Sequence, residues 1–190
     1  INLKENNITE VVILVGYLHE KITSYFGDGK KFGMRITYSY CSPETDTGSR
    51  LAHALPLLHD TFLLLYGDNV WTLDFKKLQE SYFKNKKDAQ MTVYTNRFNT
   101  TKNNVSVENN TVLIYSKERN AKNLNGVNIG YCILKKNILN NLPKENFAFD
   151  EIISRLIKEQ QLSAFVTDHP YYSLTSPERL EKVTQYQKLA

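Results

Sequence analysis

The chain has 190 residues, of which 41% are hydrophobic, 23% charged and 12% aromatic, which is the composition of an ordinary water-soluble globular domain. No apolar run approaches the roughly 20 residues that span a bilayer, and no basic-then-apolar leader opens the chain, so neither a membrane protein nor a secreted precursor is expected. The net charge of +4 forms no basic stripe interleaved with aromatic residues, which argues against a nucleic-acid partner. Cys41 and Cys132 form no CxxC motif, which favours a reducing compartment, the cytoplasm, over a disulfide or zinc framework.

The first residues indicate that part of the domain is missing from this chain. The sequence begins with Ile1 and not with Met, and residues 1–7 have the pattern of the end of a helix. We therefore expect a piece of a longer chain, or a chain whose start was removed.

Strands and helices alternate along the first third of the chain. Residues 10–16 (EVVILVG) form an apolar run rich in β-branched residues, which predicts a strand buried on both faces of a parallel sheet. A helix over residues 18–26 follows and ends at Gly27-Asp28-Gly29, because glycines commonly stand just beyond a helix end. A strand, a helix and a fully apolar strand are predicted over residues 35–40, 49–58 and 61–66. This alternation implies parallel strands joined by crossover helices.

The rest of the chain continues this pattern with one interruption. The predicted elements are a helix at 74–84, strands at 90–95 and 126–134, helices at 136–142 and 149–160, a strand at 163–167 and a last helix beginning at Ser176-Pro177-Glu178. Two short runs at 105–107 and 112–115 predict a β-hairpin that turns at residues 108–110. We predict one α/β domain over residues 1–190, with a doubly wound, mostly parallel, Rossmann-like sheet and a small β-hairpin insertion.

One strand end carries residues that suit a binding site, because ligands of open α/β sheets bind beyond the carboxyl ends of the strands. Gly67-Asp68-Asn69 follows the most apolar strand. The Asp68 carboxylate could hold a divalent ion such as Mg²⁺, beside a glycine that lets a substrate approach the backbone. Gly-Asp-Asn is also good turn chemistry, so Asp68 could instead only cap the turn.

Two other strand ends are weaker candidates. Thr47, Gly48 and Ser49 stand at a predicted helix start, where free N–H groups favour an anion, although a plain Ser49 N-cap explains the same residues. The loop after the last strand contains Asp168 and His169, but no Ser/His/Asp or Cys/His set accompanies them. Covalent hydrolysis is therefore disfavoured.

Several segments in a fixed order resemble a known family. VGYL, YFGDG, TGSRLAHALPLL and TFLLLYGDNVWTL come first, and NIGYCILKKNIL, FDEIISRLIKEQQLSAF and YYSLTSPERLEKVTQY follow. This succession resembles the sugar-1-phosphate nucleotidyltransferases over nearly all of the chain, and most of all the bacterial mannose- or heptose-1-phosphate guanylyltransferases.

The resemblance implies a reaction in which a nucleoside triphosphate and a sugar 1-phosphate give a nucleotide-sugar and pyrophosphate, a step in making bacterial polysaccharides. It implies a Mg²⁺ cofactor and assigns both the metal-binding and the catalytic role to Asp68. It implies nucleotide binding by Thr47, Gly48 and Gly67, and sugar-phosphate binding by Lys117, Asn128 and Gly130. No nucleic acid or membrane is implied as a partner, and a homo-oligomer is compatible with the family.

The chain departs from the family pattern at two places. A GGxGTRxRPxT loop and the lysine after it, which surround the triphosphate, should precede Ile1. Without them we expect the chain alone to be inactive and neighbouring strands to have unpaired edges. Ser173 and Thr175 stand where the family has its second metal-binding Asp and a Gly. A hydroxyl is a poor Mg²⁺ ligand beside a carboxylate, so Asp68 could hold the metal alone, with Asp168 nearby.

Two other classes of function stay open at this point. The chain could be a non-catalytic fragment or a degenerate homologue that binds a nucleotide or a partner. It could also be a metal-dependent glycosyltransferase in which Gly67-Asp68-Asn69 takes the part of an Asp-x-Asp metal motif. A GTRxRPxT loop encoded upstream would favour the nucleotidyltransferase over the fragment, and pyrophosphate release would favour it over the glycosyltransferase.

Overall fold

The computed structural model confirms the predicted α/β class. It describes residues 3–70, 74–140, 142–169, 171–174, 176 and 178–181. The chain divides into two compact units, a first unit of residues 2–62 with 135–155 and a second unit of residues 63–134 with 156–190. None of the helices in the described part of the chain is long and apolar enough to cross a membrane.

The first unit is built on a parallel strand pair with a crossover helix. Its elements are β1 (Glu10–Val15), α1 (His19–Phe26), β2 (Arg35–Tyr40) and α2 (Thr47–His53), with short 3-10 turns at Lys4–Asn6, Lys30–Phe32 and Leu55–Leu57. β1 and β2 pair in register from Glu10 opposite Arg35 to Val15 opposite Tyr40, as parallel strands joined by a helix should. The helix predicted over 49–58 is shorter than expected, because Pro56 provides no N–H and the last residues form a 3-10 turn.

The other strands form a six-stranded sheet and a separate pair of very short strands. In chain order these elements are β3 (Thr61–Leu65), β4 (Asn69–Val70), α3 (Phe75–Asn85), β5 (Ala89–Tyr94), β6 (Val105–Glu108), β7 (Thr111–Tyr115), β8 (Val127–Lys135), α4 (Phe149–Lys158), β9 (Leu162–Thr167) and β10 (Tyr172–Ser173). The sheet order is β3-β8-β5-β9-β7-β6, and β4 pairs only with β10. β5 and β9 are parallel, while β8 and β7 run antiparallel to their neighbours β5 and β9.

The predicted hairpin is present and joins the main sheet through β7. β6 and β7 are antiparallel, and the turn between them consists of Asn109 and Asn110, with φ values of 47° and 57°. Asparagine tolerates this left-handed conformation, which two-residue hairpin turns require. The helix predicted over 136–142 is only a 3-10 turn, Lys136–Leu139. Thr175 and Pro177 lie outside the described residues.

One face of the six-stranded sheet is packed under α3. The buried side chains of this core are Leu78, Tyr82, Tyr94, Ile129, Tyr131 and Ile133. Every residue of β5 is buried, as expected for a strand with partners on both edges and layers on both faces. β5 and β9 are therefore rigid supports for the loops at their carboxyl ends.

Candidate active site

Residues 66–68, the Asp68 loop, connect β3 to β4. The sequence does not predict that β4 pairs with β10. β10 pairs antiparallel with β4, so that Ser173 lies opposite Asn69. The Leu174 N–H donates to the Asp68 carbonyl at 2.7 Å. The two segments that carry the expected metal residues, Asp68 and Ser173, are thus joined through their backbones, while Gly67 and Asp68 themselves are exposed.

The same loop is fastened to the middle of β8. The Asn69 amide donates from Nδ2 to the Ile129 carbonyl at 3.0 Å, and the Tyr131 hydroxyl donates to the Asn69 carbonyl at 2.9 Å. The Tyr66 N–H donates to the Gly130 carbonyl at 3.1 Å. Asp68 therefore lies on a loop with a backbone anchor at each side.

Gly130 is required by the close approach of this loop. Its φ is +76°, and a Cβ at this position would lie 2.6 Å from Tyr66 Cδ2 and 2.8 Å from Asn69 Nδ2. The register between β5 and β8 also shifts at this point, which marks a β-bulge. The structure thus brings Gly130 and the Asp68 loop together, and their predicted binding roles stay predictions.

Asn128 helps to shape the bulge through its side chain. Its Oδ1 accepts from the Gly130 N–H at 2.9 Å, and its own N–H donates to Oδ1 of the buried Asn104 at 2.8 Å. Asn104 is a residue that sequence reasoning missed, because a single buried Asn in an Asn-rich stretch has no distinguishing pattern. The structure supplies a positioning role for Asn128, and its predicted sugar-phosphate contact stays a prediction.

Lys117 lies in the loop after β7 and is exposed. Two residues later, Arg119 extends its guanidinium to the Thr101 hydroxyl at 3.2 Å and to the Lys102 carbonyl. Arg119 also lies close enough to Tyr171, which directly precedes β10, for its charge to lower the pKa of the Tyr171 hydroxyl. The loop that carries Lys117 is therefore connected to the segment beside Asp68.

The electrostatics of Tyr171 identify the charges around this connection. Burial raises the pKa of the Tyr171 hydroxyl, and the Asp68 carboxylate raises it further. The charges of Arg119 and Arg179 act in the opposite direction. Two arginines and the Asp68 carboxylate thus act on one phenol, and neither arginine was singled out from the sequence.

Thr47 and Gly48, the predicted nucleotide residues of the first unit, begin α2. A Cβ on Gly48 would lie 2.5 Å from the Phe147 ring, so packing within the protein already explains this glycine. Thr47 Oγ1 accepts from the Phe149 N–H at 3.0 Å, and the Ser49 N–H donates to the Phe147 carbonyl at 3.1 Å. The start of α2 is therefore partly occupied by protein, and nucleotide binding there stays a prediction.

The donor atoms near Asp68 fit a magnesium ion only with help from a substrate. Within the described ranges, no three His, Cys, Asp or Glu side chains come together as a metal cluster. Asp168, the other carboxylate considered, accepts a hydrogen bond from the Thr95 hydroxyl at 2.5 Å where β5 and β9 end. Mg²⁺ commonly takes one or two carboxylates and completes its shell with water and phosphate oxygens. The single Asp68 carboxylate, on a segment whose backbone pairs with that of Ser173, fits that arrangement at its lower limit.

Comparison with known proteins identifies the family. The family model described as "Nucleotidyl transferase" matches residues 1–172. The D-glycero-alpha-D-manno-heptose 1-phosphate guanylyltransferase of Campylobacter jejuni is 27% identical over 93% of this chain and 78% of its own length. The enzyme of the same name from Aneurinibacillus thermoaerophilus is 22% identical over 95% of this chain and 79% of its own length.

A solved structure supports the same fold. The crystal structure of HddC from Yersinia pseudotuberculosis superposes with a TM-score of 0.78 at 20% identity, over 97% of this chain and 81% of that one. A second structure of HddC is complexed with GMP-PN. The fold described above is therefore that of the nucleotide-diphospho-sugar transferase type. The chain belongs to the nucleotidyl transferase family.

Proposed function

We propose that this chain is the larger part of a sugar-1-phosphate nucleotidyltransferase domain, which joins a nucleoside triphosphate to a sugar 1-phosphate and releases pyrophosphate. The observation that carries the proposal is the β4–β10 pair, which joins the Asp68 loop to Ser173 in a chain that matches the family over residues 1–172. The guanylyltransferases of heptose 1-phosphate among its relatives support this reaction class.

The protein contributes to this reaction mainly by positioning the two substrates and by neutralising charge. An oxygen of the sugar phosphate attacks the α-phosphorus, and a new P–O bond forms. The bond from the α-phosphorus to the oxygen that bridges to the β-phosphate breaks, and pyrophosphate leaves with that electron pair. No covalent enzyme intermediate is needed, because both reactants can be held in line.

Different residues of the candidate site would bind the two substrates. Gly67 is exposed with open space beside it, which supports an approach of the triphosphate to the backbone. Lys117 supplies a positive charge for the sugar phosphate. Asn128 shapes the strand that would face the sugar, through its hydrogen bond to Gly130.

Asp68 is the residue that we assign to the metal. A Mg²⁺ ion bound with the triphosphate would neutralise the charge that develops on the departing pyrophosphate. Asp68 would hold it with one carboxylate, and the Ser173 hydroxyl would contribute a weak ligand at most.

We place this reaction in the cytoplasm, as a step toward bacterial polysaccharides. Cys41 and Cys132 are both free, which agrees with a reducing compartment. Burial raises the pKa of the Cys132 thiol to about 12, so this residue has a packing role rather than a chemical one.

A substrate panel tests the proposal. The protein that carries this chain together with the expected triphosphate loop is incubated with each common nucleoside triphosphate and with mannose, glucose or heptose 1-phosphate. We expect pyrophosphate and a nucleotide-sugar in equal amounts for one base, and neither when one substrate is left out. Transfer of sugar from a nucleotide-sugar without pyrophosphate would identify a glycosyltransferase instead. Nucleotide binding without turnover across the panel would identify a non-catalytic homologue.

A further inference from the structure

Arg119 is held at a fixed place by neutral oxygens. Its guanidinium donates to the Thr101 hydroxyl at 3.2 Å and to the Lys102 carbonyl. Its charge also acts on the nearby Tyr171 hydroxyl, whose pKa it lowers. The loop around it is also closed locally, since the Arg119 N–H donates to the Ser116 carbonyl at 3.0 Å. A long side chain that is tethered this way loses most of its conformational freedom before any ligand arrives.

The positive charge of Arg119 has no negative partner. Among the residues that the structure describes, no carboxylate lies within ion-pair distance of this half-buried guanidinium. Arginines away from bulk water usually pair with a carboxylate or a phosphate, because neutral oxygens leave the charge uncompensated. A phosphate group is therefore a suitable partner for this guanidinium.

The backbone of Arg119 points to the same conclusion. Its φ is +56°, a left-handed conformation that is unfavourable for a residue other than glycine. Such a conformation persists only when the surroundings hold it, and it is common at ligand-binding sites. Here the hydrogen bonds of the Arg119 side chain to Thr101 and Lys102 accompany it.

The position of Tyr171 brings this unpaired charge to the candidate active site. Tyr171 directly precedes β10, whose partner β4 directly follows Asp68. Its ring also contacts the Tyr94 ring, with centroids 6.2 Å apart, at the carboxyl end of β5. The charge of Arg119 thus acts on a residue that packs against the end of β5 and precedes the strand beside Asp68.

We propose that Arg119, held by Thr101 and Lys102, binds a phosphate group of a substrate beside the Asp68 loop. This inference rests on the proposed function and names a residue that it does not require. The planar guanidinium offers two parallel N–H groups to a phosphate, which the Lys117 ammonium cannot do. Because Arg119 shares its loop with Lys117, the phosphate of the sugar 1-phosphate is the group that it binds.

Direct binding measurements on the chain test the proposal without turnover. Calorimetric titrations use mannose 1-phosphate, inorganic phosphate, tripolyphosphate and free mannose as probes. We compare the wild-type chain with Arg119→Gln, with Arg119→Lys, which keeps the charge but not the fork, and with the matched control Arg97→Gln. Arg97 stacks on the exposed Phe98 ring at 4.6 Å and lies outside the cluster.

We expect Arg119→Gln to weaken mannose 1-phosphate binding about tenfold or more, which equals about 1.4 kcal/mol. Arg119→Lys should fall between the wild type and Arg119→Gln, and Arg97→Gln should stay within about twofold of the wild type. The affinity should also fall as the pH drops through about 6, where a phosphate monoester takes up its second proton. If Arg119→Gln does not fold, the affinities of Arg119→Lys and Arg97→Gln for mannose 1-phosphate are compared instead. Weaker binding by Arg119→Lys supports the proposal, and equal binding overturns it.

Equal affinity in Arg119→Gln and Arg97→Gln overturns the proposal, as does the absence of phosphate binding by the wild type. An Arg119-dependent loss for tripolyphosphate alone would assign this residue to the triphosphate and overturn the assignment to the sugar. Arg119-dependent binding by the chain, with no turnover in the protein that also carries the expected triphosphate loop, would leave this site intact and remove the proposed function. Turnover that is unaffected by Arg119→Gln would leave the proposed function intact and remove Arg119 from the phosphate site.

Discussion

Asp68 is an exposed carboxylate on a loop that other residues hold in place. Its side chain contributes charge rather than packing, because the anchors of the loop are the Asn69 amide and the backbone at Asp68 and Tyr66. Asp68→Asn should therefore reduce turnover by about 100-fold or more with little change in the free energy of unfolding. Pyrophosphate release and urea denaturation measure the two effects.

Asp60→Asn is the matched control for this change, since Asp60 is another exposed carboxylate just before β3. It should leave both quantities near those of the wild type. Unchanged pyrophosphate release in Asp68→Asn would remove Asp68 from the mechanism.

Gly67 and Gly130 give opposite expectations although both belong to the candidate site. No atom lies within 4 Å of the place that a Cβ on Gly67 would take, whereas Gly130 combines φ +76° with a contact at 2.6 Å. Gly130→Ala should lower the free energy of unfolding by about 1–2 kcal/mol from the backbone alone, and Gly67→Ala by less than about 0.5 kcal/mol. Urea denaturation compares them directly.

The functional readout separates the same two glycines. Gly67→Ala should raise the KM for the nucleoside triphosphate while the protein stays stable, because a methyl group then occupies the open space. If Gly67→Ala loses as much stability as Gly130→Ala, the open space beside Gly67 is not a property of the folded protein.

The β4–β10 pair is the element on which the proposed metal site depends. Ser173 lies opposite Asn69, directly beside the Asp68 backbone, where a carboxylate would add a second hard ligand. Ser173→Asp should lower the Tm without Mg²⁺, because two like charges then lie close together. It should raise the Tm when Mg²⁺ is added, by about 2–4 °C for each kcal/mol of binding free energy.

Thermal unfolding with and without MgCl₂ checks this expectation. Ser176→Asp is a suitable control, because it places a carboxylate in the same terminal region but outside the β4–β10 pair. The wild type and the control should respond little to Mg²⁺. An equal response in all three proteins would show that position 173 does not face the metal.

The sequence predicts the regular elements well and the short ones poorly. The bounds of β2 are those expected, because a β-branched and aromatic run with clear flanking turns determines them. β4 and β10 have two residues each, too few to show a hydrophobic period, so their pairing follows only from the folded structure. The backbone pairing of the Asp68 and Ser173 segments therefore could not be predicted from the sequence pattern.

The candidate site shows the same limit. Gly67 and Asp68 could be proposed because turn chemistry and a strand end mark them, and Gly130 only because the chain resembles the family. Arg119 and Asn104 could not, because their roles depend on contacts with Tyr171 and Asn128 that are distant in sequence. The sequence pattern suggests that Gly48 is a glycine because a ligand approaches it. In the structure, the Phe147 ring takes the space beside Gly48.

At the scale of the whole molecule, β1 has one partner strand among the described residues, β2, and its other edge is unpaired. Its apolar side chains are mostly only half-buried, although the run EVVILV is typical of a strand buried on both faces. In the 190-residue chain we expect the β1 amides on the unpaired edge to exchange with solvent quickly. In a protein that also carries the expected preceding segment they should become protected.

Hydrogen exchange of both proteins tests this, with β5 as the internal control because β8 and β9 pair with both of its edges. The β5 amides should be protected in either protein. Equal protection of β1 in both proteins would mean that the preceding segment does not add a strand there.

The central claim is that an oxygen of a sugar 1-phosphate attacks the nucleotide at the Asp68 site. The most direct measurement uses a sugar 1-phosphate labelled with ¹⁸O in its non-bridging phosphate oxygens and follows the label by mass spectrometry during turnover of the protein that carries this chain. We predict that the label enters the nucleotide-sugar and that the pyrophosphate carries none. Labelled inorganic phosphate together with an unlabelled sugar product would mean that the sugar–phosphate bond breaks instead, and would contradict the account.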